Sequence, residues 1–524
     1  MGRTPLFAGV TRALRLAWAA ERSRTPVAEL AGHVEARRGV TRRRVLAGAA
    51  ALGGGLALGC GPRAARSAPP GGGPRIGIVG GGMAGLSCAW HLQEAGLRAE
   101  VLEGSARVGG RMFSARGKFG DGQVAELGGE LINSDHRTMH ALASALAIEL
   151  DDLHAGEPAG HARETFFVGG RRLAETALAE AFRPLAARMA VAMAGVDDAK
   201  LAELDRASIG EWLAREAAGS PLRALLADAY TGEFGLEADE QSALNLLTMI
   251  DYEDPDHFRL LGDSDERYHT RGGNDLFPTR LAERLATPVV LGSRLVAIAA
   301  TTGGGYRLTF ERDGTSFERT FDHVVLAIPF TVLREVDVQV ELPPRKRQVI
   351  AELAYGTNAK LMGGFATRPW REQHNASGTV VTDAGLQFLW DTARGQPGAA
   401  GILTNYCGGR RGAALDRGTA DEQLRAALPT IERIFPGAAA AYTGTAVRMH
   451  WPTVKLARGS FACYRAGQWA MRGAEGERVG NLHFAGEHCS TEFQGFMEGA
   501  AGSGATVARV LVAELAGRQL AVAG

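Results

Sequence analysis

Apolar positions change their period abruptly at residue 76. Ile76, Ile78 and Val79 form a short continuous run, Gly80-x-Gly82-x-x-Gly85 follows, and Leu86, Ala89 and Trp90 then fall on one helical face before Gly96. A second apolar run, Ala99–Leu102, stops at the acid Glu103. The pattern predicts strand, tight turn, helix, strand. Residues 151–265 are rich in Ala, Leu, Glu and Arg and predict mostly helices, with a hairpin over 164–173 turning at Gly169-Gly170. Residues 289–298 predict a strand pair, and residues 321–329 a buried strand. Residues 481–511 repeat the strand, Gly-rich turn and helix, with the helix starting near Gly495–Gly499. No internal repeat is visible.

The first of these units has the chemistry of a dinucleotide site. Gly80 permits the tight turn, Gly82 lets backbone approach a pyrophosphate, and Gly85 lets helix and strand pack closely. The helix N-terminus offers free N–H groups to phosphate, aided by Met83 and Ala84 at its start, and Glu103 can accept from ribose hydroxyls.

Charge is divided unevenly. The 524 residues have zero formal net charge, but residues 1–74 carry 12 Arg against 3 acids, a net of +9, which leaves −9 on the rest. An acidic body argues against nucleic-acid binding. Within the basic part, Val10, Leu14, Ala17 and Trp18 lie at helical spacing. Further on, Thr41-Arg42-Arg43-Arg44-Val45-Leu46 precedes a weakly apolar run of 14 residues, Val45 to Leu58. That is too short to cross a bilayer and has the form of a twin-arginine signal, which exports folded, cofactor-loaded proteins to the periplasm or cell surface. Gly59-Cys60 after it reads either as a lipoprotein cleavage site, with Cys60 lipidated, or as an incidental cysteine. A Pro/Gly linker, residues 67–74, closes the segment. The expectation is that residues 1–74 address the protein and stand outside its fold. The five cysteines have no metal-site spacing, so neither a disulfide framework nor a metal is expected.

Glu103-x-x-x-Arg107-x-Gly109-Gly110-Arg111, the segment from Ala125 to Ile132 and the segment from Asn481 to Leu511 together resemble the flavin-containing amine oxidases, the family of monoamine, polyamine and L-amino-acid oxidases, here of bacterial type. The resemblance spans about residues 75–512. It implies an α/β, two-domain FAD-dependent amine oxidase fold, with a Rossmann-like FAD-binding domain and a mixed α+β substrate domain. The FAD domain would comprise residues 75–150, 266–334 and 476–516, and the substrate domain residues 151–265 and 335–475, with 517–524 a tail. It implies FAD contacts from Gly80, Gly82, Met83, Ala84, Gly85, Glu103, Arg107, Gly110, Arg111, Gly128, Gly129, Glu130, Leu295, Gly486, Glu487 and Met497. Leu295 matches the position whose backbone meets adenine.

For catalysis the resemblance singles out Lys360, Trp451, Phe461 and Phe496. Lys360 matches a lysine held through water near the flavin N5, where burial would disfavour its charge. Phe461 and Phe496 match the two walls of an aromatic cage, and Trp451 lies ten positions before Phe461, the family's spacing. Two phenylalanines, where monoamine oxidases often carry tyrosine, imply a less polar pocket. Ser460 stands where covalent members carry cysteine, which implies non-covalent FAD. Glu130 and Leu131 stand where secreted L-amino-acid oxidases place a carboxylate-binding arginine, so an amine is favoured over an amino acid. Arg137 reads as an exposed-loop residue, and His450 and His488 as structural.

The expected activity is oxidation of an amine to an imine, then aldehyde or keto product plus ammonia or amine, with O2 reduced to hydrogen peroxide. The alternatives are an L-amino-acid oxidase, a flavin desaturase or porphyrinogen-type oxidase, and a non-catalytic flavoprotein. The sequence leaves the oligomeric state open, a homodimer included.

Overall fold

The computed structural model describes residues 5–31, 73–155, 157–158, 160–220, 222–248 and 265–523. Four strands form a parallel sheet in the order Ala99–Leu102, Ile76–Val79, His323–Leu326, Leu482–Phe484. Residues 76–79 and 323–326 are buried throughout, which suits a parallel strand covered on both faces. The helices Met83–Glu94 and Met497–Ala523 cross one face together. Their approach is close: a Cβ on Gly504 would fall on the Ala84 carbonyl, and Ser87 Oγ donates to the Ala501 carbonyl at 2.8 Å. The other face carries a sheet of Arg294–Ala300, Tyr306–Arg312 and Thr315–Phe321, extended by Asp337–Gln339.

The substrate half is built on a seven-stranded sheet in the order Tyr442–His450, Ala359–Phe365, Gly401–Cys407, Phe388–Asp391, Ala376–Thr382, Ala162–Val168, Arg171–Leu173. Its last pair is the expected hairpin, with Gly169 and Gly170 at φ 60° and 76°. The helices Glu175–Met193, Ile209–Glu216 and Leu222–Phe234 bury Phe182, Trp212 and Tyr230 in one cluster with Phe388, Trp390 and Tyr406 of that sheet.

Three expectations need correction. The residues ahead of 75 do not all stand outside the fold. Pro5–Ser23 is a helix whose Ala13, Leu14, Leu16, Ala17 and Ala20 lie in the helical cluster, packed on Glu175–Met193. The amphipathic spacing showed an apolar face, but a single helix carries no record of its partner. The twin-arginine stretch and Cys60 lie outside the described residues. Second, residues 289–298 are not a strand pair. Val290 makes one isolated bridge to Leu102, and Arg294–Ala300 pairs instead with Tyr306–Arg312. Third, the second substrate segment begins later than residue 335. Asp337–Gln339 and the helix Pro344–Glu352 pack on the nucleotide side, and the substrate sheet resumes only at Ala359.

Candidate active site

One cavity collects the predicted positions. It is lined by Gly80, Gly82, Met83, Ala84, Glu103, Arg107, Gly110, Arg111, Gly128, Gly129, Glu130, Leu295, Gly486, Glu487 and Met497, and also by Lys360, Trp451, Phe461 and Phe496. Gly85 is the exception among them. It sits behind the wall, where a Cβ would strike the Gly80 carbonyl, so its part is packing of helix on strand and not ligand contact. Gly80 takes φ 109°, a conformation that disfavours any side chain. At Gly82 an added Cβ would meet open space, and no side chain caps the helix that begins at Met83. Its first N–H groups are therefore open to an anion.

Around this turn, charged side chains tie distant segments together. The Glu103 carboxylate accepts from the N–H of Gly81 at 2.6 Å and of Ser105 at 2.7 Å. Arg107 donates to the carbonyls of Val108 and Gly110 and lies over the Phe113 ring, 4.0 Å from its centre. Arg111 donates to the Ser460 carbonyl and pairs with Glu487 at 2.9 Å, while Glu487 accepts from the Gly495 N–H. Three stretches far apart in sequence are thus fixed by one ion pair. Gly128 passes so close to Arg111 that a Cβ would fall on the Arg111 carbonyl oxygen.

Lys360 is the second residue of the strand Ala359–Phe365 and is buried. Its Nζ donates to the carbonyls of Glu126 at 2.8 Å and Gly128 at 2.9 Å, and to Glu130 Oε2 at 2.6 Å. The other Glu130 oxygen accepts from Trp390 Nε1 and Thr392 Oγ1, both at 2.9 Å. Burial pushes the Glu130 carboxyl up, but the Lys360 ammonium and the hydrogen bonds from Lys360 and Trp390 outweigh it and hold the group below its usual range. Glu130 is therefore an engaged anion and not a free counter-charge at the cavity mouth. Behind it, Glu126 pairs with His269 at 3.0 Å and accepts from Ser114 Oγ.

The chain matches the model of the flavin containing amine oxidoreductases over residues 83–512. It belongs to that family. A putative flavin-containing monoamine oxidase of Mycobacterium tuberculosis is 28% identical over 84% of this chain and 96% of its own. An L-amino-acid oxidase of Siganus canaliculatus is 26% identical over 78% and 80%. An (S)-6-hydroxynicotine oxidase of Paenarthrobacter nicotinovorans is 26% identical over 81% and 96%. The cyclohexylamine oxidase of Brevibacterium oxydans shares the fold, with a TM-score of 0.72 at 22% identity over 84% of this chain and 99% of that one.

As a member of this family the protein is an FAD-dependent oxidoreductase acting on amines. The residues present fit FAD: an uncapped helix start beside open space at Gly82, an acid just past the end of the second strand, and a cavity continuous from Leu295 to Phe496. Ser460 lines that cavity, with its hydroxyl on Asn358 Oδ1 at 2.5 Å, and no cysteine stands among the described lining residues. Trp451 is anchored by Nε1 on the Leu127 carbonyl at 3.0 Å. His488 also lines the cavity, against Phe330, and burial pushes its pKa down to about 4. His450 is not a lining residue, and Arg137 is exposed at the start of its helix.

Three residues escaped sequence reasoning. Trp390 and Tyr406 line the cavity from neighbouring strands, with ring centres 5.6 Å apart. His136 sets its ring edge-on to Phe496 at 5.2 Å and Phe493 at 5.3 Å. The signal for the first two was weak: aromatics in buried strands read as core.

Proposed function

We propose that this enzyme oxidises a neutral amine bearing a bulky apolar or aromatic group, with O2 as electron acceptor and FAD held without a covalent bond. Bound FAD would supply the redox chemistry, acceptance of a hydride equivalent from the amine's α C–H, by which amine and O2 become imine and hydrogen peroxide. Water then hydrolyses the imine to an aldehyde or keto product and ammonia or an amine.

The observation that carries this reading is the set of aromatic rings around Gly128, Gly129 and Lys360: Phe461, Phe496, Trp451, Trp390 and Tyr406 share the cavity with them. Flat apolar walls orient the substrate and keep water from the reacting bond. The lining arginines supply little to clamp a carboxylate. Arg107 and Arg111 are occupied by backbone carbonyls and Glu487, and Arg294 pairs with Glu311 beside Leu295. His488, held neutral by burial, is a poor proton carrier, which suits a substrate that arrives without a proton to lose. Lys360 orders the 126–130 segment beneath the reacting site, with its N–H groups on the Glu126 and Gly128 carbonyls and the Glu130 carboxylate.

Peroxide release from the purified holoenzyme on a panel of arylalkyl amines, cycloalkyl amines, diamines and L-amino acids tests the reading. Turnover of the apolar amines above the others is expected. Preference for L-amino acids would replace it with the amino-acid reading, and no turnover of either class would overturn it. Flavin should leave the polypeptide on acid precipitation; retention would refute the non-covalent assignment. We also propose export by the twin-arginine route, on the strength of Arg42 and Arg43 before a weakly apolar run, with Cys60 as the candidate lipid anchor. Changing both arginines to lysine should leave FAD-loaded precursor in the cytoplasm, and normal export of that variant would overturn the route.

A further inference from the structure

We propose that His323, His483 and Glu514 form a binding site for a divalent transition-metal ion of the zinc type, at the edge of the nucleotide sheet opposite the flavin cavity. His323 opens the strand His323–Leu326, and His483 is the middle residue of Leu482–Phe484. The parallel register sets Val325 against His483, so His323, two residues before Val325, points to the same face of the sheet. That face is covered by the helix Met497–Ala523, because Val325 shares a cluster with Val507, Leu511 and Leu515. Glu514, one turn beyond Leu511, is thereby placed over both imidazoles. One ligand atom from each of the three residues lies within 4.8 Å of the others.

A tetrahedral ion with bonds near 2 Å needs ligand atoms about 3.4 Å apart, so small side-chain rotations close the set. The donors are chemically ready. His483 Nε2 and Glu514 Oε2 are buried with no hydrogen-bond partner. Arg478 holds the opposite oxygen of Glu514, leaving Oε2 to the ion. Two imidazoles and one carboxylate favour zinc over magnesium or calcium, which prefer all-oxygen sets, and water would complete the shell. A metal here lies at the strand starts, whereas Gly80, Ala327 and Gly486 of the flavin cavity lie past the strand ends. Its effect would be to clamp the long C-terminal helix to the sheet, not to enter the redox reaction.

The test uses the untagged, FAD-loaded full chain, stripped with chelator and returned to zinc chloride. Zinc content is measured by mass spectrometry and the unfolding midpoint by thermal scan. The expected result is one zinc per chain lost in H483Q and at least tenfold weaker uptake in E514Q. The wild type should gain at least roughly 2 °C in midpoint with zinc, and H483Q should gain none. Amine turnover should not depend on zinc. Equal zinc uptake by wild type, H483Q and E514Q would overturn the site, as would no uptake by the wild type. E514Q changes a partly exposed helix residue, so it keeps the test decisive if H483Q folds poorly. Zinc-dependent turnover would refute the structural role.

Discussion

Around the nucleotide turn, the decisive positions are those where a side chain is forbidden; in the helical cluster of the substrate half, they are those where a large one is required. Gly85 and Gly128 each lie against a backbone carbonyl with no room for a Cβ. Trp212, Tyr230, Phe388 and Trp390 instead fill the space between helices and sheet, and any of several apolar side chains could have shared that volume. A ban on side chains is absolute and local, so it leaves a fixed spacing in the sequence. A volume requirement is shared across many residues and leaves none.

The sharpest break of this comparison is at Gly128. Replacing it with valine should abolish FAD binding, because the new atoms would occupy the place of the Arg111 carbonyl and displace the segment that pairs with Glu487. The ratio of absorbance at 450 nm to that at 280 nm reads the outcome. A variant that retained full flavin would show that this close approach is not required.

Lys360 comes next, where the two halves meet. Lys360→Met leaves Glu130 buried without its cation, a loss of roughly 3–5 kcal/mol in stability. Flavin turnover should also fall at least tenfold, about 1.4 kcal/mol of barrier, with reoxidation by O2 hit harder than anaerobic reduction. The pH dependence separates the two effects. In the wild type the Glu130 carboxyl is held below its unfolded value, so its contribution is present above about pH 4.5 and is lost as pH falls through the folded value. In Lys360→Met burial acts on that carboxyl without the ammonium. Its pKa then rises, and the deficit against wild type should be largest at neutral pH and shrink on acidification. Lys360→Met with Glu130→Gln should recover stability but not turnover. Recovery of both would make the lysine a positioning residue alone. Thermal scans between pH 5 and 8, with stopped-flow absorbance of the two half-reactions, check this.

The same contrast explains what was legible in the sequence. The strands Ile76–Val79 and Ala99–Leu102, the helix after Gly82 and the helix from Met497 stand where the spacing predicted them, because glycine, period and turn all agree. The gathering of Lys360, Phe461 and Phe496 on one cavity came from the family resemblance, not from period or composition. Trp390 and Tyr406 stayed invisible because their importance arises from strand neighbours far along the chain. Pro5–Ser23 was readable as a helix, but its docking depends on Glu175–Met193, over 150 residues away. Leu14→Ala tests that docking. A fully buried leucine on the helix should cost about 3 kcal/mol, whereas Glu29→Ala, on an exposed position, should cost almost nothing. Equal unfolding midpoints for the two variants would return the segment to the status of an appendage.

The smallest effect should come from Trp390→Phe, which refines the comparison inside the cavity. Phenylalanine keeps an aromatic wall beside Tyr406 but deletes the Nε1–H that Glu130 Oε1 accepts at 2.9 Å. Thr392 Oγ1 still donates to the same oxygen, so the carboxylate is not stranded, and the loss should be about 1 kcal/mol. Flavin content should not change, because Trp390 lies on the substrate sheet and not on the nucleotide turn. The wall recedes by the difference between indole and phenyl, so KM for a bulky amine should change severalfold while kcat stays within about twofold, the mark of uniform binding. A fall in kcat with KM unchanged would instead tie Trp390, through Glu130 and Lys360, to the redox step, and would make the hydrogen-bonded chain, not the shape of the wall, the feature that the substrate half contributes.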